Sequence, residues 1–532
     1  MRADILFRGG IVVDGAGAPA LPADVAVADG SIVAVGDAAG IRATRIIDVD
    51  GLVLCPGFID IHTHSDVSVV LDPAGESKVL QGVTTEVTGN CSFSPFPLAP
   101  ERIDLHEDHL RRIGDGVPPL TWTDLDGYAQ AVQADPPALN LAPLVGHGTV
   151  RVAVMGVAQR PPTPDELREM RRLIARELDQ GAFGFSTGLT HVPSAYGDEA
   201  EVTDLVRVVA SRHALYTTHA RDNQGGGFGS VEEALRTAAA AGARLEYSHA
   251  AINHPDDWGR AAEVTALIDE ARARGLDVGF DVYPYDASSS SLTQYLPPWV
   301  QEGGTEAMRR RLADPDTRAR AERDLAAGWF GGIPWFWDRV MISRSGPGDA
   351  WCVGLDIERA AARVGRTPAA FTLDLCLEHG NDAGVVLFYR TEQDMTTFLS
   401  HPRSVVGSDG SAVPLDQGTQ RPHPRGFGTY PRILGRYVRE QELLSLPEAI
   451  HKMTGGVAER LRLDDRGRLH VGRAADLVAF DPATVIDNAT FTDPAQAPTG
   501  VRYVMVNGRL AVDGGDQTIE RAGRVLRRPR KR

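Results

Sequence analysis

The segment Phe58-Ile59-Asp60-Ile61-His62-Thr63-His64 closes an apolar run with two imidazoles two residues apart. Residues i and i+2 of a strand face the same side, so both rings can reach one metal ion. Two ordinary loop histidines would also satisfy that spacing, and the rest of the sequence decides between the readings. Cys91 follows Thr88-Gly89-Asn90, His219 ends the run from Leu215, His249 ends the run from Leu245, and Asp409 ends the run from Val405. Each is a metal-ligand type that caps a separate apolar run. Imidazole nitrogens with one thiolate favour zinc over magnesium or calcium. Zinc brings the pKa of a bound water close to neutrality, giving a hydroxide that can attack a carbonyl. A carboxylate beside it, Asp409, can take the proton and return it to a leaving amine. Metal coordination ties up a thiolate's charge, so Cys91 reads as a ligand and not as a nucleophile.

Such residues have to be gathered by a scaffold. The middle of the chain alternates short apolar runs with amphipathic stretches, the pattern of parallel βα units. The expected strands are Val53–Ile61, Thr84–Thr88, Leu141–Val145, Phe183–Ser186, Ala214–Thr218, Arg244–Ser248, Asp277–Val282 and Ser404–Gly407, with helices such as Pro164–Gln180 and Val231–Ala241 between them. Eight units fit a TIM-type (β/α)8 barrel, whose reactive groups collect at the C-terminal strand ends. The stretch from about Asp286 to Gly384 exceeds a connector and reads as an inserted helical subdomain or lid.

Both chain ends are β-rich. Ile5 to Gly15 and Val25 to Val35 read as hairpins, and Ala475 to Asp481 and Val501 to Gly508 have the same texture. Each end alone is too short for a comfortable core, so the two are expected to build one small β-sandwich domain together. The α/β chain thus divides into residues 1–54 (small domain), 55–430 (barrel, with an insertion at about 286–384) and 431–532 (last barrel helices and the rest of the small domain).

Composition narrows the function classes. With 532 residues, 42% hydrophobic and 24% charged, the chain has the make-up of a large soluble enzyme. A formal charge of −16 argues against a general nucleic-acid binder. No stretch approaches the ~20 apolar residues of a membrane span, and no signal peptide is visible at the start. Four cysteines make no disulfide framework; Cys55, Cys352 and Cys376 read as packed thiols, and the expected setting is cytoplasmic. The basic run Arg527–Arg532 reads as a solvated tail. The only lysines are Lys78, Lys452 and Lys531.

The motifs resemble the N-acyl-D-amino-acid deacylase (D-aminoacylase) family of the amidohydrolase superfamily. The resemblance rests on Pro56–His64, Gly82–Cys91, Gly146-His147-Gly148, Phe185–Leu189, Thr218-His219-Ala220-Arg221-Asp222, Val406–Gly410, His423–Thr429, Lys452–Gly455 and Ala474–Val478, nearly the whole chain. It implies that Cys91, His219 and His249 hold one tight zinc. His62 and His64 would form a second half-site sharing Cys91, and Asp409 would be the general acid/base. Relatives that bridge two metals with a carboxylated lysine are excluded, because no lysine lies between Lys78 and Lys452. The implied reaction is hydrolysis of a small N-acyl-D-amino acid to a carboxylate and a free amine. A barrel scaffold without catalysis is disfavoured, since all six metal and acid/base candidates are present. A homo-oligomer is compatible with the sequence.

The substrate end carries one departure. Tyr283 and Ser289 match the family's seventh-strand motif and are expected to donate to the substrate carboxylate. The family typically places a lysine two residues after the sixth-strand histidine; here the residues are Ala250-Ala251. Losing that charged donor would cost roughly 1.5–3 kcal/mol unless replaced. Arg221, Arg344 and Arg390 are the candidate replacements. Otherwise the substrate lacks a free α-carboxylate (an N-acylated amine, amide or metabolite), or is a cyclic amide. His147 and Tyr196 are further candidates for the pocket wall, with His191 beside them; His423 reads as structural.

Overall fold

The computed structural model describes residues 2–529 apart from 115, 222–226 and 331. Asp222 of the fifth-strand motif and residues 530–532 of the basic tail therefore lie outside the described residues.

Eight parallel strands follow one another in sequence order around a single sheet: β1 (Phe58–Asp60), β2 (Val83–Thr88), β3 (Asn140–Gly146), β4 (Gly184–Gly188), β5 (Leu215–His219), β6 (Arg244–Tyr247), β7 (Val278–Val282) and β8 (Ser404–Val406). Just past the strand ends a parallel bridge between Thr63 and Gly410 joins β1 to β8, reinforced by Asp409 N–H donating to His62 O at 2.8 Å. The turn that closes the barrel therefore runs through the proposed chemistry. The strands are buried along almost their whole length, as expected of parallel strands covered by helices.

Helix Pro164–Gln180 shows how local sequence fixes an element. Thr163 and Glu166 form a capping box, Pro164 occupies the first turn, and Gly181 at φ 110° ends it. Met170, Leu173, Ile174 and Leu178 form its buried stripe.

The expected first strand, Val53–Ile61, is two. Val53–Pro56 belongs to the terminal sheet, and only Phe58–Asp60 enters the barrel. Between them, a Cβ at Gly57 would lie 2.2 Å from the Thr84 hydroxyl, so this crossover requires glycine. The two chain ends share one nine-stranded sheet, joined where Leu477–Phe480 pairs antiparallel with Val53–Pro56. It buries apolar residues on both faces: Phe7 and Val25 contribute to one core, Leu6 and Ala26 to another. The hairpin read at Ile5–Gly15 is instead one strand, Arg2–Val12. Its Gly9-Gly10 pair makes a bulge, and the register shifts between Phe7 and Gly10. The hairpin at Val25–Val35 is present, turning at Asp29-Gly30.

The insertion is not purely helical. Strands Ser288–Ser291, Val340–Arg344 and Gly384–Leu387 form an antiparallel sheet beside helices such as Thr305–Ala313, Pro315–Ala326 and Pro368–His379. Its own core includes Leu312, Leu325, Val340, Ile342, Cys352 and Val385. Four consecutive serines carry no apolar alternation, which is why periodicity does not reveal the first of these strands. No helix among the described residues is long and apolar enough to cross a membrane.

Candidate metal centre and substrate cavity

The strand ends bring the six chemical candidates to one place. Cys91 Sγ lies 3.1 Å from His62 Nε2 and 3.5 Å from His249 Nε2, and His249 Nε2 lies 2.9 Å from His219 Nδ1. His64 Nε2 lies 2.9 Å from Asp409 Oδ1. Two donor sets result, each with its ligand atoms within 4.8 Å of one another: Cys91, His219 and His249; and His62, His64, Cys91 and Asp409. Cys91 belongs to both.

Local backbone conformation aims these groups. Cys91, His249 and Asp409 have φ of 51°, 38° and 53°, in the left-handed region that residues with a Cβ rarely occupy. That strain is maintained by pairing around it, a recurrent feature of functional sites. His249 N–H donates to Asp281 Oδ1 at 2.9 Å, while Asp281 Oδ2 lies 3.3 Å from His62 Nδ1. The Asp281 carboxylate thus orients one histidine's ring and another's backbone. Below them, buried Lys78 pairs with Asp60 at 2.8 Å and Glu86 at 3.4 Å and bonds the Ser408 hydroxyl. Asp60 Oδ1 accepts from Ser408 N–H at 2.9 Å, fixing the residue before Asp409.

The electrostatics suit a cation. Burial pushes the Cys91 thiol up, but His62 and His249 overcome it and hold the group well below its usual range, as a thiolate. Burial disfavours charge on His64, yet hydrogen bonding to Asp409 and Cys91 lifts it to about 9. For His249, burial and then His219 lower the pKa and favour the neutral, ligating form. Burial would also raise Asp409; Arg425, then His62 and His64, more than compensate and hold it well below the carboxylate range.

Arg425 stands in the centre and was not singled out from the sequence. Its Nη1 lies 2.7 Å from Asp409 Oδ2, both groups are buried, and its guanidinium sits 4.8 Å over the Tyr283 ring. The signal was the arginine inside His423-Pro424-Arg425-Gly426; nothing in the motif said that it would reach across to the end of β8. Asp281 was missed for the same reason. His423 Nε2 contacts Ala287 O at 3.1 Å and its Nδ1 accepts from Arg425 N–H at 3.0 Å, holding this loop.

A cavity of about 390 Å³ opens from the centre, between the strand ends and the insertion. His64, Cys91, His219, His249 and Asp409 line its base, and Tyr283, Ser289, Arg344, Arg390, Arg425 and His191 its walls. Arg390 Nη1 hydrogen-bonds the Tyr283 hydroxyl, and its Nε donates to Asn253 Oδ1 at 3.2 Å. Three expected wall residues are not brought to the cavity. Arg221 pairs with Glu233 at 3.0 Å and bonds the carbonyls of Ala195 and Gly197. His147 is buried between Ser194 (2.8 Å) and Glu201 (2.9 Å), and Tyr196 donates to Pro298 O at 2.7 Å. Each spends its polar atoms on partners outside the cavity lining.

The barrel, with ligand types at its strand ends, defines a metal-dependent hydrolase scaffold, and comparison with known proteins agrees. Residues 45–341 and 356–512 match the amidohydrolase family. An N-acyl-D-glutamate deacylase of Alcaligenes xylosoxydans xylosoxydans is 37% identical over 529 residues, 99% of this chain and 97% of that protein. The crystal structure of an N-acyl-D-glutamate deacylase from Bordetella bronchiseptica, complexed with zinc and a phosphonate mimic of the tetrahedral intermediate, superposes with a TM-score of 0.83 at 34% identity, covering 99% of this chain and 100% of that one. A D-aminoacylase with a binuclear metal centre, activated by one metal and attenuated by the second, gives 0.82 at 35% identity with the same coverage. The chain belongs to the amidohydrolase family, in its N-acyl-D-amino-acid deacylase branch.

Proposed function

We propose that this protein is a zinc-dependent deacylase that hydrolyses the amide bond of an N-acyl-D-amino acid to a carboxylate and a free amine. The observation that carries the reading is the convergence of Cys91, His219 and His249 beside Asp409 at the base of a cavity whose walls bear arginines.

The donor set fits zinc: two imidazoles and a thiolate at mutual contact distance, with a charge balance that favours a cation between them. Cys91, His219 and His249 would hold the tight metal, and His62 and His64 a second one sharing Cys91. When bound, zinc supplies Lewis acidity that acidifies water and polarises an amide carbonyl. The chain's own residues do the remaining work. Asp409, ionised and oriented by Arg425 and His64, takes a proton from the attacking water and delivers it to the amide nitrogen, which leaves as the amine. Tyr283, Ser289 and Arg390 receive the α-carboxylate. Arg390, beside the Tyr283 hydroxyl and Asn253, supplies the positive charge that Ala251 lacks. A substrate without a free α-carboxylate is not favoured, because it would leave this guanidinium facing no anion. Four unpaired cysteines support a cytoplasmic setting.

The test is a screen of paired D- and L-N-acyl amino acids beside their α-amides, with zinc content measured in parallel. Zinc-dependent hydrolysis of the D free acids is expected. Zinc-loaded protein that leaves them intact, or prefers the α-amides, refutes the reading.

A further inference from the structure

The ring of His219 has two nitrogens, and each has a partner. Nδ1 lies 2.9 Å from His249 Nε2, on the side where the donor set with Cys91 gathers. Nε2, at the other edge of the ring, lies 2.7 Å from Thr190 Oγ1. A histidine that gives a metal one nitrogen carries its proton on the other, and the acceptor of that proton sets how the ring is turned. Asp281 serves His62 in this way; for His219 the acceptor is a threonine hydroxyl.

Local structure brings Thr190 to that position. β4 ends at Gly188, which pairs with His219 of β5. A Cβ on Gly188 would lie 2.2 Å from Cys91 O, so a glycine is needed for the end of β4 to pack this close to the centre. One residue on, Leu189 N–H donates to His219 O at 2.8 Å. Thr190 therefore leaves the sheet beside the His219 side chain, and it is buried there.

The hydroxyl is itself held. Gln294 Nε2 donates to Thr190 Oγ1 at 3.0 Å, and Gln294 Oε1 accepts from the Ser290 hydroxyl. A hydroxyl oxygen has two lone pairs, so it can accept from Gln294 and from His219 Nε2–H together. Gln294 is buried on the short helix Leu292–Tyr295 of the insertion, and Ser290 lies on the serine strand Ser288–Ser291, next to Ser289. Ser290, Gln294 and His219 all line the substrate cavity. Asp281 and Lys78 support the centre from the barrel; Gln294 supports it from the insertion.

We propose that Thr190 is the positioning residue of His219 and that Gln294 holds its hydroxyl in place, so that the insertion helps to keep the tight zinc. This rests on the reading of Cys91, His219 and His249 as the tight zinc site.

Zinc affinity of the full chain is measured by competition with a chromogenic chelator, which needs no substrate. Thr190→Val keeps the shape and removes the acceptor, and zinc should bind about 10–100-fold more weakly. Thr190→Ser keeps the hydroxyl and should recover most of that loss. Gln294→Met frees the hydroxyl and should fall between wild type and Thr190→Val. Because Gln294 acts through Thr190, the double variant should bind zinc no more weakly than Thr190→Val alone. Losses that multiply in the double variant, the mark of two separate packing defects, overturn the proposal. So does wild-type affinity in either Thr190→Val or Gln294→Met, or a Thr190→Ser protein as weak as Thr190→Val. Should Thr190→Val fail to fold, Gln294→Met decides by the same affinity measurement. A chain that holds zinc but hydrolyses no N-acyl-D-amino acid sinks the deacylase reading and leaves these affinities to decide the inference. If Cys91→Ala keeps the tight zinc, the site assignment fails, and this inference with it.

Discussion

Replacing Arg425 with glutamine removes the one guanidinium among the described residues that pairs with Asp409. With Nη1 and Oδ2 2.7 Å apart, the charge centres sit ~4 Å from each other. At an effective dielectric of ~20 that separation is worth about 4 kcal/mol before relaxation. An aspartate beside an arginine is commonly lowered by ~1–3 pKa units, or about 1.4–4 kcal/mol, which is the more realistic range. The sign follows from the role of Asp409. As the base it must be ionised, so activity is present above its pKa and lost as pH falls through it. In the wild type this carboxyl titrates well below the usual range, and it should impose no loss above pH ~4. Without Arg425 the effect of burial is opposed only by the histidines, and the acid limb of kcat/KM should move up by ~1–3 units. Arg425→Lys restores charge but not the planar contacts with the Tyr283 ring and Ser289 O, so its limb should fall between the two. The assay is a pH profile of kcat/KM on an N-acyl-D-amino acid, with bound zinc measured at each end. An acid limb that stays within about half a unit of wild type, with zinc intact, refutes the claim that Arg425 acts through Asp409.

Asp409→Asn should reduce turnover by about 10²–10⁴-fold or more while zinc stays bound; near-normal turnover would remove the proton-transfer role. Cys91→Ala deletes the ligand shared by both donor sets, so metal analysis should find the tight zinc lost along with activity; stoichiometric zinc in the variant would contradict this assignment. Lys78→Met leaves Asp60 and Glu86 buried without their cation and should cost about 3–5 kcal/mol, read as a lower urea midpoint; an unchanged midpoint would show that the cluster is not a stabilising element. Burial pushes Glu86, Glu177 and Glu246 up to about 7. Their stabilising contribution is complete below their unfolded pKa and is lost as pH rises through about 7, so urea resistance should decline from pH ~4.5 towards neutrality. Resistance that climbs steadily across that window would be the contrary result.

Legibility followed the range of the interactions. The capping box at Thr163 and Glu166 and the apolar stripe behind it act within one turn of helix, so Pro164–Gln180 could be read to the residue. The six chemical residues were legible because a strand end is a local feature, and a polar ligand type closing an apolar run stands out in one dimension. Gly9-Gly10 was ambiguous: the same dipeptide serves a turn or a bulge, and pairing with Leu21–Ala28 made it a bulge. The serine strand was invisible, since its place is set by Gly384–Leu387 across the sheet and not by its own side chains.

By itself the sequence determined the barrel, the donor types that would meet at its mouth, and the reaction class those donors permit. Only the tertiary structure decided which charges face one another. Arg425 against Asp409, Asp281 beneath His62 and His249, and Arg390 against Tyr283 join residues separated by up to 219 positions in the chain. Arg221, His147 and Tyr196 looked suited to the cavity and are paired instead with groups outside it. The reason is physical: a side chain's type fixes what it can bind, but its partner is whichever group the closed barrel brings within hydrogen-bond reach.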